Sequence, residues 1–188
     1  MGATQPVQDL RYPTGTFRWK GELTEADRVE LIAQIAEAPA RLREAVKGLT
    51  PEQLDTPYRP EGWTVRQVVH HVPDSHMNSY VRFKLALTED EPTIKTYDEA
   101  LWAALPDSKN TPVETSLTLL AALHERWVNL LQSMSPADFA RKVNHPEHGL
   151  VSLDHLLALY GWHGRHHVAH ITSLRERMGW HQAVTSDE

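Results

Sequence analysis

Apolar positions recur at steps of three and four over four long stretches of this chain, the spacing that keeps one face of an α-helix dry. In the first stretch Val29, Ile32, Ile35, Leu42, Val46 and Leu49 follow Thr24-Glu25-Ala26-Asp27. That opening is a capping box, with a hydroxyl at the N-cap and an acid three residues on. Pro39 inside the run predicts a kink, and Gly48 a stop. Thr50-Pro51-Glu52-Gln53 opens a short helix with proline at its first position. A second long helix starts at Thr64-Val65-Arg66-Gln67 and extends to about Leu87, with Val65, Val68, Val69, Val72, Tyr80 and Phe83 on its apolar face. Pro73 interrupts it, so its two halves need not share a phase. A third follows Thr111-Pro112-Val113-Glu114 and carries Leu120, Leu123, Trp127, Leu130 and Met134. The fourth is capped by Ser152 and ends near Met178, where Gly179 can terminate it.

Strand signals are scarce; His145-Pro146-Glu147-His148-Gly149 reads as a turn at the tip of a small hairpin. The class is therefore all-α, and four amphipathic helices predict a four-helix bundle. The connection between the second and third long helices, residues 88–110, is long enough to cross the bundle and carries a short helix around Tyr97–Leu105. That asymmetry predicts up-down-down-up rather than simple alternation. Nothing divides the 188 residues, so they read as one domain, with residues 1–23 an extended segment packing on it.

Composition narrows the function. Nineteen basic against 25 acidic side chains give a net charge of −6, and there is no basic run. That argues against nucleic acid, whose phosphates supply most of the affinity for proteins that bind it. No stretch approaches the ~20 apolar residues of a membrane span, and the N-terminus has no apolar leader, so the expectation is a cytoplasmic protein. Cysteine is absent. Disulfides, thiolate metal sites and an internal thiol nucleophile are thereby excluded.

The unusual count is 12 histidines. The apolar stripe of the fourth helix runs Leu156, Tyr160, His163, His167, Ile171, Leu174, Met178, so two of its seven core positions are histidine, one turn apart. Side chains at i and i+4 lie about 5–6 Å apart, which lets two imidazoles reach one metal ion. A second pair, His166 and His170, lies on the neighbouring flank. Buried imidazoles need polar partners, so two on one stripe are harder to explain as packing than one. The pattern H-E-x-x-H is absent, which counts against a zincin-type protease. A third ligand should come from another helix, and Val69-His70-His71-Val72-Pro73-Asp74-Ser75-His76 offers candidates. A straight-helix count puts His76 nearest the apolar face and His71 at its edge, with His70 toward solvent; spacing alone leaves both His71 and His76 open.

Several segments together resemble the DinB superfamily, within it the YfiT group of metal-dependent hydrolases to which the bacillithiol S-transferases also belong. They are Tyr12-Pro13-x-Gly15, Leu54 to Arg59, Gly62 to His71, Asp74 to Tyr80, Arg82-Phe83-Lys84, Trp162-His163 and His166 to Ile171. Pro73 departs from the family pattern. The resemblance implies a four-helix bundle binding one divalent metal through His71, His163 and His167, with zinc the default and nickel the alternative. It also implies a homodimer, and a water or a low-molecular-weight thiol such as bacillithiol attacking a small electrophilic substrate. For a base or orienting group the candidates are His76, Asp74, His166 and Tyr160; for holding a substrate carboxylate, Arg66 and Arg82. A bundle that binds a metal or small ligand without turnover is the alternative.

Overall fold

Hydroxyl caps set the start of most helices. The computed structural model describes residues 9–180, and the helices are α1 (Glu25–Val46), α2 (Pro51–Leu54), α3 (Val65–Thr88), α4 (Glu99–Ala103), α5 (Pro106–Asn110), α6 (Val113–Ser133), α7 (Pro136–Phe139) and α8 (Leu153–Met178). Thr24, Thr50, Thr64 and Ser135 each close a capping box, and Ser152 caps α8 by accepting from His155 N–H. At the far end of α8, Gly179 turns the chain out of the helix at φ +65°, a region that favours glycine. Thr111 does not cap α6; Pro112 is the cap residue, and the Thr111 carbonyl accepts instead from Arg66 and His70. β1 (Lys142–His145) and β2 (Gly149–Ser152) pair antiparallel as the small hairpin the turn residues predict.

Side-chain pairs fix the direction of each long helix. Arg28 meets Asp154 near the start of α1 and α8, and Arg175 Nη1 donates to the Ala45 carbonyl near their ends, so these two run parallel. Ser75 meets Tyr160 while the earlier His71 approaches His167, so α3 runs against α8. His70 bonds Ser116 and His76 bonds His124, which makes α3 and α6 parallel. The topology is up-down-down-up. Parallel neighbours need a connection the length of the bundle, and the segment between α3 and α6, carrying α4 and α5, supplies it.

The core is divided by level. One apolar cluster holds Ile35, Phe83, Trp127, Leu157 and Tyr160; the other holds Leu42, Val65, Val72, Leu120 and Ile171. On each long helix the break falls at the same height: between Ile35 and Leu42, Val72 and Phe83, Leu120 and Trp127, Tyr160 and Ile171. The layer between the two clusters contains His76, His124, His163 and His167. Gly164 lets α8 approach α1 there, because a Cβ at that position would lie 3.1 Å from the Ala38 Cβ.

Three sequence expectations change. Met178 is exposed: α1 ends at Val46, and the final turn of α8 is held through Arg175 on the Ala45 and Lys47 carbonyls and Arg177 on the Tyr58 carbonyl, none of which covers Met178. His70 is buried rather than solvent-facing, since the end of the crossover covers it: Nε2 donates to Thr111 O and Nδ1 accepts from Ser116 Oγ. Pro39 and Pro73 both sit inside unbroken helices.

Candidate metal centre

Three imidazoles converge from α3 and α8. His71 Nε2 lies 3.4 Å from His163 Nε2, and His167 Nε2 lies 3.2 Å from the same atom. Ligands at the usual Zn–N length of about 2.0–2.1 Å, arranged tetrahedrally, stand about 3.3 Å from one another. Two of the three edges therefore match a coordination face, and the ligand atoms of all three residues lie within 4.8 Å of one another, a group able to hold a metal among the described residues. Burial keeps the rings neutral: His71 is pushed down to about 4, and His163 and His167 fall well below the ordinary histidine value for the same first cause. Neutral imidazole offers the lone pair a metal needs.

The local fold explains the convergence. His163 and His167 sit one turn apart on the inward stripe of α8, flanked by Tyr160 and Ile171. His71 comes from the first half of α3, ahead of Pro73, and Trp63 packs against its ring at 4.7 Å. His76, in the second half, lies deeper and faces the other side of His163, with its Nε2 3.1 Å from His163 Nδ1. The simple wheel thus identified His76 as a core residue, while His71, itself buried, stands beside Trp63 and Glu99, which line the open side.

That open side is a cavity of about 440 Å³. His163 and His167 line it together with Trp63, Trp162, Tyr58 and Arg59, and the N-terminal segment contributes Arg11 and Tyr12. The segment is held by specific contacts: His170 Nε2 donates to Arg11 O, Trp162 Nε1 donates to Gly15 O, and Tyr12 stacks on His166. These contacts bury His166 and His170, which the isolated helix would leave on a flank. Residues 1–8 of the expected 1–23 segment lie outside the described residues.

The other sequence candidates are distributed as follows. His166 lines the cavity, with Nδ1 3.4 Å from Thr14 Oγ1. Tyr160 is buried and donates to the Ser75 carbonyl, while Ser75 Oγ lies 3.5 Å from His163 Nε2. Asp74 does not line the cavity, although burial, then Asp107, raises its carboxyl to about 6. Arg66 is bound to Asp55 Oδ1 at 2.7 Å, and Arg82 follows His71 by three turns; neither reaches the cavity. The guanidinium groups there are Arg11 and Arg59, and a carboxylate absent from the sequence reading is Glu99, whose Oε2 lies 3.9 Å from His71 Nε2. His124 is the other omission. It satisfies the same stripe rule as His163, at steps of four, three and four through Leu120, His124, Trp127 and Leu131.

Comparison with known proteins identifies the family. The DinB superfamily model matches residues 34–171. The chain belongs to the DinB superfamily. A protein of Bacillus mycoides (strain KBAB4), named "Putative metal-dependent hydrolase", is 59% identical over 174 residues, covering 93% of this chain and all of that protein. A protein of the same name from Bacillus cereus (strain 03BB102) is 58% identical over the same spans. The solved structure of YfiT from Bacillus subtilis, described as "a probable metal-dependent hydrolase with an unusual four-helix bundle topology", superposes with a TM-score of 0.89 at 48% identity, over 92% of this chain and 99% of that one. Among the described residues of this DinB-type chain, no helix is long and apolar enough to cross a membrane.

Proposed function

We propose that His71, His163 and His167 hold one divalent transition metal through Nε2 and that the protein is a metal-dependent enzyme acting on a small molecule. The observation that carries this reading is the 3.2 and 3.4 Å spacing of His167 Nε2 and His71 Nε2 from His163 Nε2, in a cluster of neutral imidazoles of which His163 and His167 line a cavity. Imidazole ligation suits zinc, copper, iron and nickel; the family resemblance makes zinc the default and nickel the alternative. Three neutral ligands leave the charge of the ion uncompensated and a coordination position free, as in catalytic rather than structural sites. When bound, such an ion lowers the pKa of a water or thiol beside it and polarises an electrophile.

The residues around it divide the remaining work. Trp63, Trp162, Tyr12 and Tyr58 give the cavity aromatic walls. Glu99 stands where it can take the proton of the attacking group, within ion-pair range of His71. Hydrolysis, with water as nucleophile, is the reading that the names of the relatives support. Thiol transfer is the second reading. Arg59 on the cavity wall suits a carboxylate-bearing low-molecular-weight thiol such as bacillithiol, with Arg11 nearby already paired to Asp9, and a chain without cysteine takes its thiol from outside. A homodimer in the cytoplasm belongs to the same proposal, and sedimentation with cell fractionation tests it.

The test is turnover by zinc- and nickel-loaded protein on a panel of small esters and amides, and separately on electrophiles supplied with a thiol. Metal-dependent turnover in the first set establishes the hydrolase, and in the second the transferase. Rates that stay at the metal-free background in both would leave a bundle that binds metal or a small ligand without turnover.

A further inference from the structure

Behind the candidate metal centre, on the side away from the cavity, three histidines form a hydrogen-bonded row ending on the backbone. His163 Nδ1 lies 3.1 Å from His76 Nε2, His76 Nδ1 lies 2.8 Å from His124 Nε2, and His124 Nδ1 lies 2.7 Å from the carbonyl oxygen of Ile35. That carbonyl is inside α1, where it would ordinarily accept the N–H of the residue four places on. The residue four places on is Pro39, which has no N–H. The proline leaves one carbonyl in the core unoccupied by the helix, and His124 takes it.

The polarity of the row follows from that terminus. A carbonyl only accepts, so His124 Nδ1 carries hydrogen. A neutral imidazole has one N–H, so His124 Nε2 accepts and His76 Nδ1 donates to it. His76 Nε2 then accepts, and His163 Nδ1 donates. The remaining nitrogen, His163 Nε2, is left as a lone pair facing His71 and His167. Among the described residues no carboxylate hydrogen-bonds any of the three rings, and burial lowers the affinity of each for a second proton. The rings are also locked in place: the hydrogen-bonded His76 and His124 lie within 19° of parallel, and Trp127 and Tyr160 meet His76 edge-on.

We infer that His124, acting through His76, is a positioning residue that fixes the tautomer and orientation of His163, so that its Nε2 is presented bare to a metal. This rests on the metal reading above for its purpose, but the tautomer itself does not require a metal. A histidine ligand usually hands its second N–H to a carboxylate or a carbonyl; here two neutral imidazoles carry that contact across the bundle to α1. The row adds no negative charge to the buried layer, so the charge of a bound ion is met only from the cavity side, where Glu99 stands.

The experiment is long-range ¹H–¹⁵N correlation of metal-free protein labelled with ¹⁵N-histidine, paired with zinc titration by calorimetry. His163 is expected to be protonated at Nδ1 and bare at Nε2 in the wild type. His124→Phe keeps a ring but can neither donate to Ile35 nor accept from His76; it should populate the Nε2–H form of His163 and weaken zinc binding about 10–100-fold. His124→Gln retains an amide N–H for the carbonyl and an oxygen for His76, and should restore both readouts. A wild-type spectrum with His163 protonated at Nε2 overturns the inference, as does a folded His124→Phe with wild-type tautomer and affinity. The wild-type spectrum decides the tautomer even where the Phe variant does not fold. The expected tautomer without zinc binding would sink the metal reading and leave the row standing.

Discussion

Arg28 grips Asp154 through two parallel bonds, Nε to Oδ1 at 2.8 Å and Nη2 to Oδ2 at 2.7 Å, and both side chains are largely buried. The pair ties α1 to the first turn of α8, where the partial positive charge of the helix end also favours the carboxylate. Removing one partner strands the other charge, which costs more than the intact pair contributes. Asp154→Ala is therefore expected to lose about 3 kcal/mol of unfolding free energy by chemical denaturation. The double replacement Arg28→Met, Asp154→Leu should lose much less. Equal losses for the single and double variants would show that the charges themselves matter, not the stranded partner.

The approach of α8 to α1 predicts a second effect. A Cβ at Gly164 would stand 3.1 Å from the Ala38 Cβ and 3.7 Å from His76 Cε1. Gly164→Val should destabilise by about 1–3 kcal/mol through overpacking. Ala38→Gly in the same protein should recover part of that loss, because it removes the methyl group that is struck. Thermal melting of the three proteins measures this; a Val variant as stable as wild type would mean that the helices separate without cost.

Acid should weaken the metal-free fold in a defined window. Burial holds His124 at about 4, against an ordinary value of 6.5. Below pH 6.5 the unfolded chain takes up a proton at this site and the folded one does not, so unfolding is favoured as pH falls. The contribution is complete above pH 6.5 and is lost progressively toward pH 4; 6.5 − 4 is 2.5 units, or about 3 kcal/mol. Denaturation curves between pH 7.5 and 4, on metal-free wild type and His124→Gln, should show a shallower pH slope in the variant. Identical slopes would mean that His124 takes up its proton equally in both states.

What the sequence disclosed follows from where the physics is local. Caps at Thr24, Thr64 and Ser152 and the stop at Gly179 depend on neighbours within one turn, and each lies where its residues predict. The up-down-down-up order was legible because only a long crossover joins parallel helices. The stripe through Tyr160, His163 and His167 was legible as periodicity, and it failed at Met178, where α1 had already ended. His70 was misjudged because its cover comes from the end of the crossover, and the burial of His166 and His170 on their flank was not legible because their cover comes from residues 11–15. Pro39 reads as a kink from sequence; that its missing N–H frees a carbonyl for His124 needs the packing of α6 on α1. Glu99 opens α4, a helix of five residues, too short for periodicity to mark which side chain faces the site.

Glu99 also offers the clearest separation of binding from turnover. Its carboxylate lies 3.9 Å from His71 Nε2 and is not among the three converging nitrogens. Glu99→Gln should keep zinc affinity within a few-fold and lower kcat by about 10²-fold or more, the usual size of a lost proton acceptor. Unchanged kcat on whichever substrate class turns over would remove Glu99 from the chemistry.

The most direct test of the three-histidine centre is elemental analysis of untagged protein, as purified and after loading with zinc or nickel, for wild type, His163→Ala and His71→Ala. About one transition-metal ion per chain is expected in the wild type and a large loss in either variant, because two imidazoles alone bind such ions weakly. Folded wild-type protein that holds no metal after loading, or variants that retain a full equivalent, would contradict it; the histidine layer would then count as buried polar packing.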